Sequence, residues 1–206
     1  TNQVTGLKLL YISVPPYSFR GQSALLECRY DLEADKLYSI TWYKDHEEFY
    51  RYVPRGEPTK HSYRVEGVKV DHRKSNDREV LLQDVSLHSS GRYKCEVSAE
   101  APSFNSVSAE ASMEVAVLPQ DGPSITGEEK VYATGDVLGL NCTSGKSHPA
   151  ATLKWFINRE QVRETRAFRS PRRNFEKRNR RIDFCVFAGV MVDTSRVVYF
   201  STARKL

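Results

Sequence analysis

The sequence predicts an all-β protein made of antiparallel sandwiches, and three observations predict it. Apolar and polar residues alternate with a period of two in one segment after another up to about residue 162. Turn residues punctuate those segments: Pro15-Pro16, Gly56 with Pro58, Ser89-Ser90-Gly91 and Pro102. Two cysteines are each followed by one of the two tryptophans, Cys28 by Trp42 after 14 residues and Cys142 by Trp155 after 13.

The strands follow in order. Residues 22–30 place Ala24, Leu26, Cys28 and Tyr30 on one face. Residues 38–44 place Tyr38, Ile40 and Trp42 on one face, with Thr41 and Tyr43 on the other. Residues 48–52 form a further short strand, and residues 79–85, 92–98 and 109–117 continue the pattern. Cys28…Trp42…Tyr93-Lys94-Cys95 is the immunoglobulin signature, so the first domain is an immunoglobulin-like β-sandwich. In it Trp42 packs on a Cys28–Cys95 bridge and Tyr93, two residues before Cys95, makes the tyrosine corner. The 67 residues from Cys28 to Cys95 leave room for strands C′ and C″, the variable-type arrangement. Ser89 stands where an acidic residue usually precedes this corner, which puts the customary buried Arg–Asp pair in doubt.

The four cysteines are too far apart for a redox or zinc pair. Two long loops closed by bridges, Cys28–Cys95 and Cys142–Cys185, suit an extracellular sandwich; four unpaired buried thiols are the alternative. Domain one is assigned to residues 1–118 and a linker to 119–123. A second immunoglobulin-like domain opens over 124–162, with Gly135–Thr143 as strand B and Ala151–Ile157 as strand C. Residues 163–206 read as an atypical basic tail, and Cys185 lacks the Gly-x-Tyr-x-Cys context, so the second domain is partial or aberrant. Val186–Val192 is too short to span a bilayer and reads as a strand or an aggregation-prone segment.

Residues from about 7 to 162 resemble the beaten-path family of neuronal immunoglobulin-domain proteins. The resemblance lies in Leu37–Lys44, Glu48–Pro54, Cys95–Phe104 and Asn141–Ser144 with Pro149–Ala151. It implies a variable-type domain followed by a second immunoglobulin domain, secreted or attached to the cell surface. It also implies heterophilic binding to immunoglobulin-superfamily receptors of the sidestep family, in axon guidance and synaptic partner choice. Residues beyond 163 do not follow the family's pattern.

Charge narrows the partner class. The chain has a net charge of +5 and a pI of about 9.0, yet residues 1–158 carry 18 basic and 21 acidic side chains. Residues 159–206 carry 13 and 5, a net of +8. The tail therefore fits a heparan-type polyanion as an alternative partner. Nucleic acid is disfavoured, because no aromatic platform or groove-reading helix accompanies the run. No run of 18 apolar residues exists, so no transmembrane segment is expected. The start at Thr1, with no methionine or leader, reads as that of a mature or trimmed product. The sequence holds no nucleophile elbow, zincin helix or phosphate loop, and its five histidines are scattered, so no enzyme, metal or cofactor is expected.

The candidate binding surface is the outer face of strands G, F, C and C′. Trp42 and Cys95 face inward, so Tyr43, Lys94, Glu96 and Ser98 face outward. In the C′ segment Glu48–Tyr52 only one of the pairs Phe49/Arg51 and Tyr50/Tyr52 faces the partner, and Tyr50 and Tyr52 are preferred. Arg51 remains a candidate, since aromatics and Arg dominate interfaces. Pro102 and Phe104 occupy the FG loop. A homophilic adhesion module is a further reading of the same face. Asn141 opens the sequon Asn141-Cys142-Thr143 and neighbours an inward cysteine, so it is a candidate glycosylation site.

Overall fold

Prolines at 15 and 16 decide how the first strand is used. Neither can donate a ladder hydrogen bond, so the strand ends there and the chain crosses to the opposite sheet. In the computed structural model, β1 (Lys8–Ser13) accordingly pairs antiparallel with β3 (Ala24–Asp31), whereas β2 (Tyr17–Phe19) lies parallel to β9 (Ser106–Ala116). The structure describes residues 6–126, 141–157, 160–162, 184–193 and 196–198. The chain divides into two units, Thr1–Ala116 and Val117–Leu206.

In the first unit one sheet has the order β1-β3-β7, with β7 at Glu79–Leu82. The other has the order β2-β9-β8-β4-β5-β6, adding β4 (Leu37–Lys44), β5 (Glu47–Tyr52), β6 (Lys60–Ser62) and β8 (Gly91–Ala99). Strands β9, β8, β4 and β5 are G, F, C and C′, and β6 is C″, the variable-type complement.

The two sheets are joined by the Cys28–Cys95 disulfide, with Cα atoms 6.3 Å apart. Trp42 is opposite Cys95 in the β4–β8 register and fully buried, among Leu26, Ile40, Val80, Tyr93 and Val97. The Tyr93 hydroxyl donates to the Ser89 carbonyl oxygen at 2.6 Å, the expected tyrosine corner. Ser89 itself is buried; its hydroxyl donates to the Gly67 carbonyl and accepts the Ser86 N–H at 2.9 Å. Neutral hydrogen bonds thus occupy the place where an acidic residue is customary, with no buried charge to compensate. Gly67 is required there: its φ is +75°, and a Cβ would lie 2.2 Å from the His88 backbone.

The second unit contains β10 (Ser124–Thr126) paired with β11 (Asn141–Thr143). A separate sheet has the order β13-β12-β14-β15, formed by β12 (Ala151–Ile157), β13 (Glu160–Val162), β14 (Phe184–Asp193) and β15 (Arg196–Val198). Part of the segment assigned to a tail is therefore strand. Trp155 is opposite Cys185 in the β12–β14 register, as Trp42 is opposite Cys95 in the first unit. Cys142 is disulfide-bonded. The expected partner side chain at Cys185 and the basic run at 163–181 lie outside the described residues.

Candidate protein-binding face

Alternation along β4 points Thr41 and Tyr43 away from the core, and the pairing registers carry that face across four strands. One row reads Glu110, Lys94, Tyr43, Glu48 from β9 to β5. The next reads Ser108, Glu96, Thr41, Arg51 and, on β6, His61. Acidic and basic side chains alternate along and between these rows. Lys94 Nζ donates to Glu96 at 2.8 Å, Arg51 to Glu48 at 2.5 Å, and Arg92 to Glu110 at 3.3 Å. Lys94 Nζ also stands 5.4 Å from the centre of the Tyr43 ring.

These contacts set the titration of the face. The Tyr43 phenol is pushed above its usual value by partial burial, reinforced by the negative charges of Glu96 and Glu48. Hydrogen bonds to Glu96 and Glu48 raise Lys94 and Arg51 respectively. Lys94 and Arg51 therefore remain cationic, and Tyr43 remains a neutral phenol, at neutral pH. Two buried polar atoms in this cluster, Glu48 Oε1 and Arg51 Nε, make no hydrogen bond among the described residues.

The expected outward orientation of Tyr50 and Tyr52 is corrected by the register. A regular hairpin around the Asp45-His46 turn would set Trp42 opposite Phe49 and leave Tyr50 outside. Instead a bulge between Trp42 and Tyr43 sets Trp42 opposite Tyr50 and Tyr43 opposite Glu48. The one extra residue reverses the facing of everything after it. Tyr50 is fully buried, its hydroxyl donating to the Asn76 carbonyl at 3.2 Å and its ring edge-on to His72. Tyr52 lies opposite Ile40 and packs partly buried against the core. Phe49 is buried edge-on to Tyr93 at 5.9 Å, and Arg51 is the residue that faces outward.

A second bulge, between Leu37 and Ser39, turns Tyr38 out; it is 57% exposed although the alternation had grouped it with Trp42. Tyr43, Arg51 and Glu96 are thus gathered at the centre of the face. Ser98 lies farther along β8, its hydroxyl 3.3 Å from that of Ser106. Pro102 and Phe104 stand on the loop between β8 and β9, which is braced where the Phe104 N–H donates to the Glu100 carbonyl. Phe104 is 75% exposed with φ +50°. The sequence alone does not single out Glu48, although its place opposite Tyr43 is the one that a two-residue turn at Asp45-His46 gives before the bulge. Asn141 is exposed on β11, and its sequon partner Thr143 shares a 2.7 Å hydrogen bond with Ser124. Among the described residues no group of three His, Cys, Asp or Glu is placed to hold a metal, and no helix is long and apolar enough to cross a membrane.

This sandwich, disulfide and tyrosine corner define an immunoglobulin-type variable domain, and residues 18–118 match the Immunoglobulin V-set domain family. The chain also has weak homology to immunoglobulin-superfamily cell adhesion molecules. Cell adhesion molecule 2 of Homo sapiens is 23% identical over 146 residues, covering 71% of this chain and 31% of that protein. Cell adhesion molecule 3 of Xenopus laevis is 27% identical over 103 residues, covering 50% and 25%. The chain spans less than a third of the length of these relatives. The crystal structure of murine CEACAM1b shares the fold, with a TM-score of 0.58 at 20% identity over 75% of this chain and 77% of that one.

Proposed function

We propose that the chain is an extracellular recognition protein whose first domain binds one protein partner through the face centred on Tyr43. The observation that carries this is the cluster of Tyr43, Glu48, Arg51, Lys94 and Glu96, an aromatic ring framed by ion pairs on the open side of the sheet. Aromatic rings bury large area with few rotors to freeze, and Arg offers a planar fork of hydrogen-bond donors, so both are enriched among the residues that dominate binding energy. The cell adhesion relatives support extracellular recognition or adhesion as the general activity. The resemblance of residues 7–162 to the beaten-path family supports a sidestep-type receptor as partner, in axon guidance or synaptic partner choice.

Binding of the chain to a panel of sidestep-type ectodomains tests this reading. Tyr43→Ala and Arg51→Ala are expected to weaken binding about tenfold or more, as hot-spot truncations do. Wild-type binding to some member that neither substitution alters sinks the proposed face, and no binding to any member sinks the partner class. A second reading, polyanion binding through the tail, is favoured by the net +8 of residues 159–206.

A further inference from the structure

The basic run between β13 and β14 contains an order of residues that binding to a polyanion does not call for. Residues 163–181 carry nine basic and two acidic side chains. At one place in the chain, Arg178-Asn179-Arg180-Arg181, arginine stands at the first, third and fourth positions of a tetrad, and the apolar Ile182 follows. The tetrad lies outside the described residues, and it is the order of its side chains that matters. We propose that the Arg181–Ile182 bond is a cleavage site for a subtilisin-type proprotein convertase of the secretory route, and that the product is a two-chain molecule whose pieces stay together.

A protease that reads such a tetrad needs a carboxylate-lined pocket for each arginine, because guanidinium and carboxylate pair bidentately. The other basic residues of the run fill fewer such pockets. Arg173 follows Arg172 but has Ser170 at the fourth position, Arg172 has Pro171 before it, and Arg180 has Asn179 before it. Arg and Lys are almost never fully buried without partners, and nine basic residues cannot all be matched by the two carboxylates of the run. The cut itself is a hydrolysis. The protease serine displaces the Ile182 nitrogen from the Arg181 carbonyl carbon, the nitrogen leaves with a proton from the catalytic histidine, and water releases the acyl group. One water is consumed, and an Arg181 carboxylate and an Ile182 ammonium are formed.

Sheet order keeps the pieces together. The cut falls between β13, which ends at Val162, and β14, which begins at Phe184. In the order β13-β12-β14-β15 both of these strands flank β12. The ladder from Ala151 opposite Val190 to Phe156 opposite Phe184 therefore joins one piece to the other without using the severed connection. The expected Cys142–Cys185 bridge also spans the cut: Cys28 and Cys95 are bonded to each other, and Cys142 is disulfide-bonded.

The proposal rests on the extracellular reading, since these proteases meet their substrates in the secretory route, and its test separates the two. The full 206-residue chain, made in bacteria and folded with its disulfides formed, is treated with a purified subtilisin-type convertase. The same chain, expressed behind a secretion signal, is recovered from the medium of secreting cells. Mass spectrometry after reduction is expected to show in both a piece that begins at Ile182. Without reduction, a denaturing gel should show one species. Arg181→Ala is expected to abolish the cut and Arg178→Ala to slow it about tenfold or more, as loss of a buried charge pair does. Lys177→Ala, one position outside the tetrad, should leave the rate unchanged. Absence of the cut in the purified chain, an Arg178→Ala variant cut as fast as wild type, or pieces that part without reduction overturns the proposal. So does secreted chain that reaches the medium uncut. A chain that never reaches the medium counts against the extracellular reading, while the purified digest still decides the site.

Discussion

Asp45 shows how a single side chain can organise two strand ends. It sits at φ +47° in the turn between β4 and β5, its carboxylate accepting the Arg92 N–H at 2.8 Å and the Lys44 ammonium at 2.7 Å. The Arg92 backbone hydrogen bond, then the Lys44 side chain, holds its carboxyl below the ordinary value of 3.8. Because the folded value is the lower one, the unfolded chain takes up the proton first as the pH falls. The stabilisation is therefore complete well above pH 3.8 and is lost as the pH drops through the folded value. Asp45→Asn should lower the melting temperature at pH 7, and the gap to wild type should narrow between pH 5 and pH 3. A gap that stays constant over that range would show that the charge does not matter. Gly91 packs against the same carboxylate so closely that a Cβ would lie 2.4 Å from Asp45 Oδ2, which leaves no room for a side chain there.

At the scale of the strand, β5 separates folding from binding within six residues. Tyr50 is interior and Tyr43, across the hairpin on β4, is on the open face. Tyr50→Ala is expected to cost about 3 kcal/mol of stability by opening a cavity, read from denaturant unfolding. Tyr43→Ala should leave that unfolding curve nearly unchanged and reduce partner binding. Equal destabilisation by the two would contradict the assignment of the two faces. The alternation in residues 38–44 and 48–52 marks both strands in the sequence, but the two bulges that choose their facing are not written in local pattern. A one-residue slip costs little locally. It is decided by what Phe49 and Tyr50 can bury against, namely Tyr93, His72 and the Asn76 carbonyl, all distant in sequence. On β11 the pattern was sufficient: an outward Asn141 beside Cys142 follows from alternation alone. We expect chain expressed through a secretory pathway to lose mass on enzymatic removal of N-linked glycans, and Asn141→Gln to abolish the change.

For the whole molecule, charge is divided along the chain rather than spread over it. Residues 1–158 are net negative and residues 159–206 net positive, so the overall pI of about 9.0 is no guide to the surface around Tyr43. Heparin chromatography should retain the full chain to higher salt than residues 1–158, by release of counterions from the polyanion. Elution of both at the same salt would end the polyanion reading. The sequence by itself determined the all-β class, the disulfide between the sheets, the tyrosine corner and the place of the variable-type domain. Each of these depends on residue types at fixed separations, such as Cys28, Trp42, Tyr93 and Cys95, and separation is preserved in a list of letters. Tertiary structure alone decided which aromatic side chains the C′ strand shows to a partner. It also decided that Ser89 completes the corner through neutral hydrogen bonds, and that Tyr38 and Phe104 flank a depression. Those outcomes turn on strand register and on contacts between residues far apart in the chain, where burial of a ring outweighs the local preference for a regular hairpin.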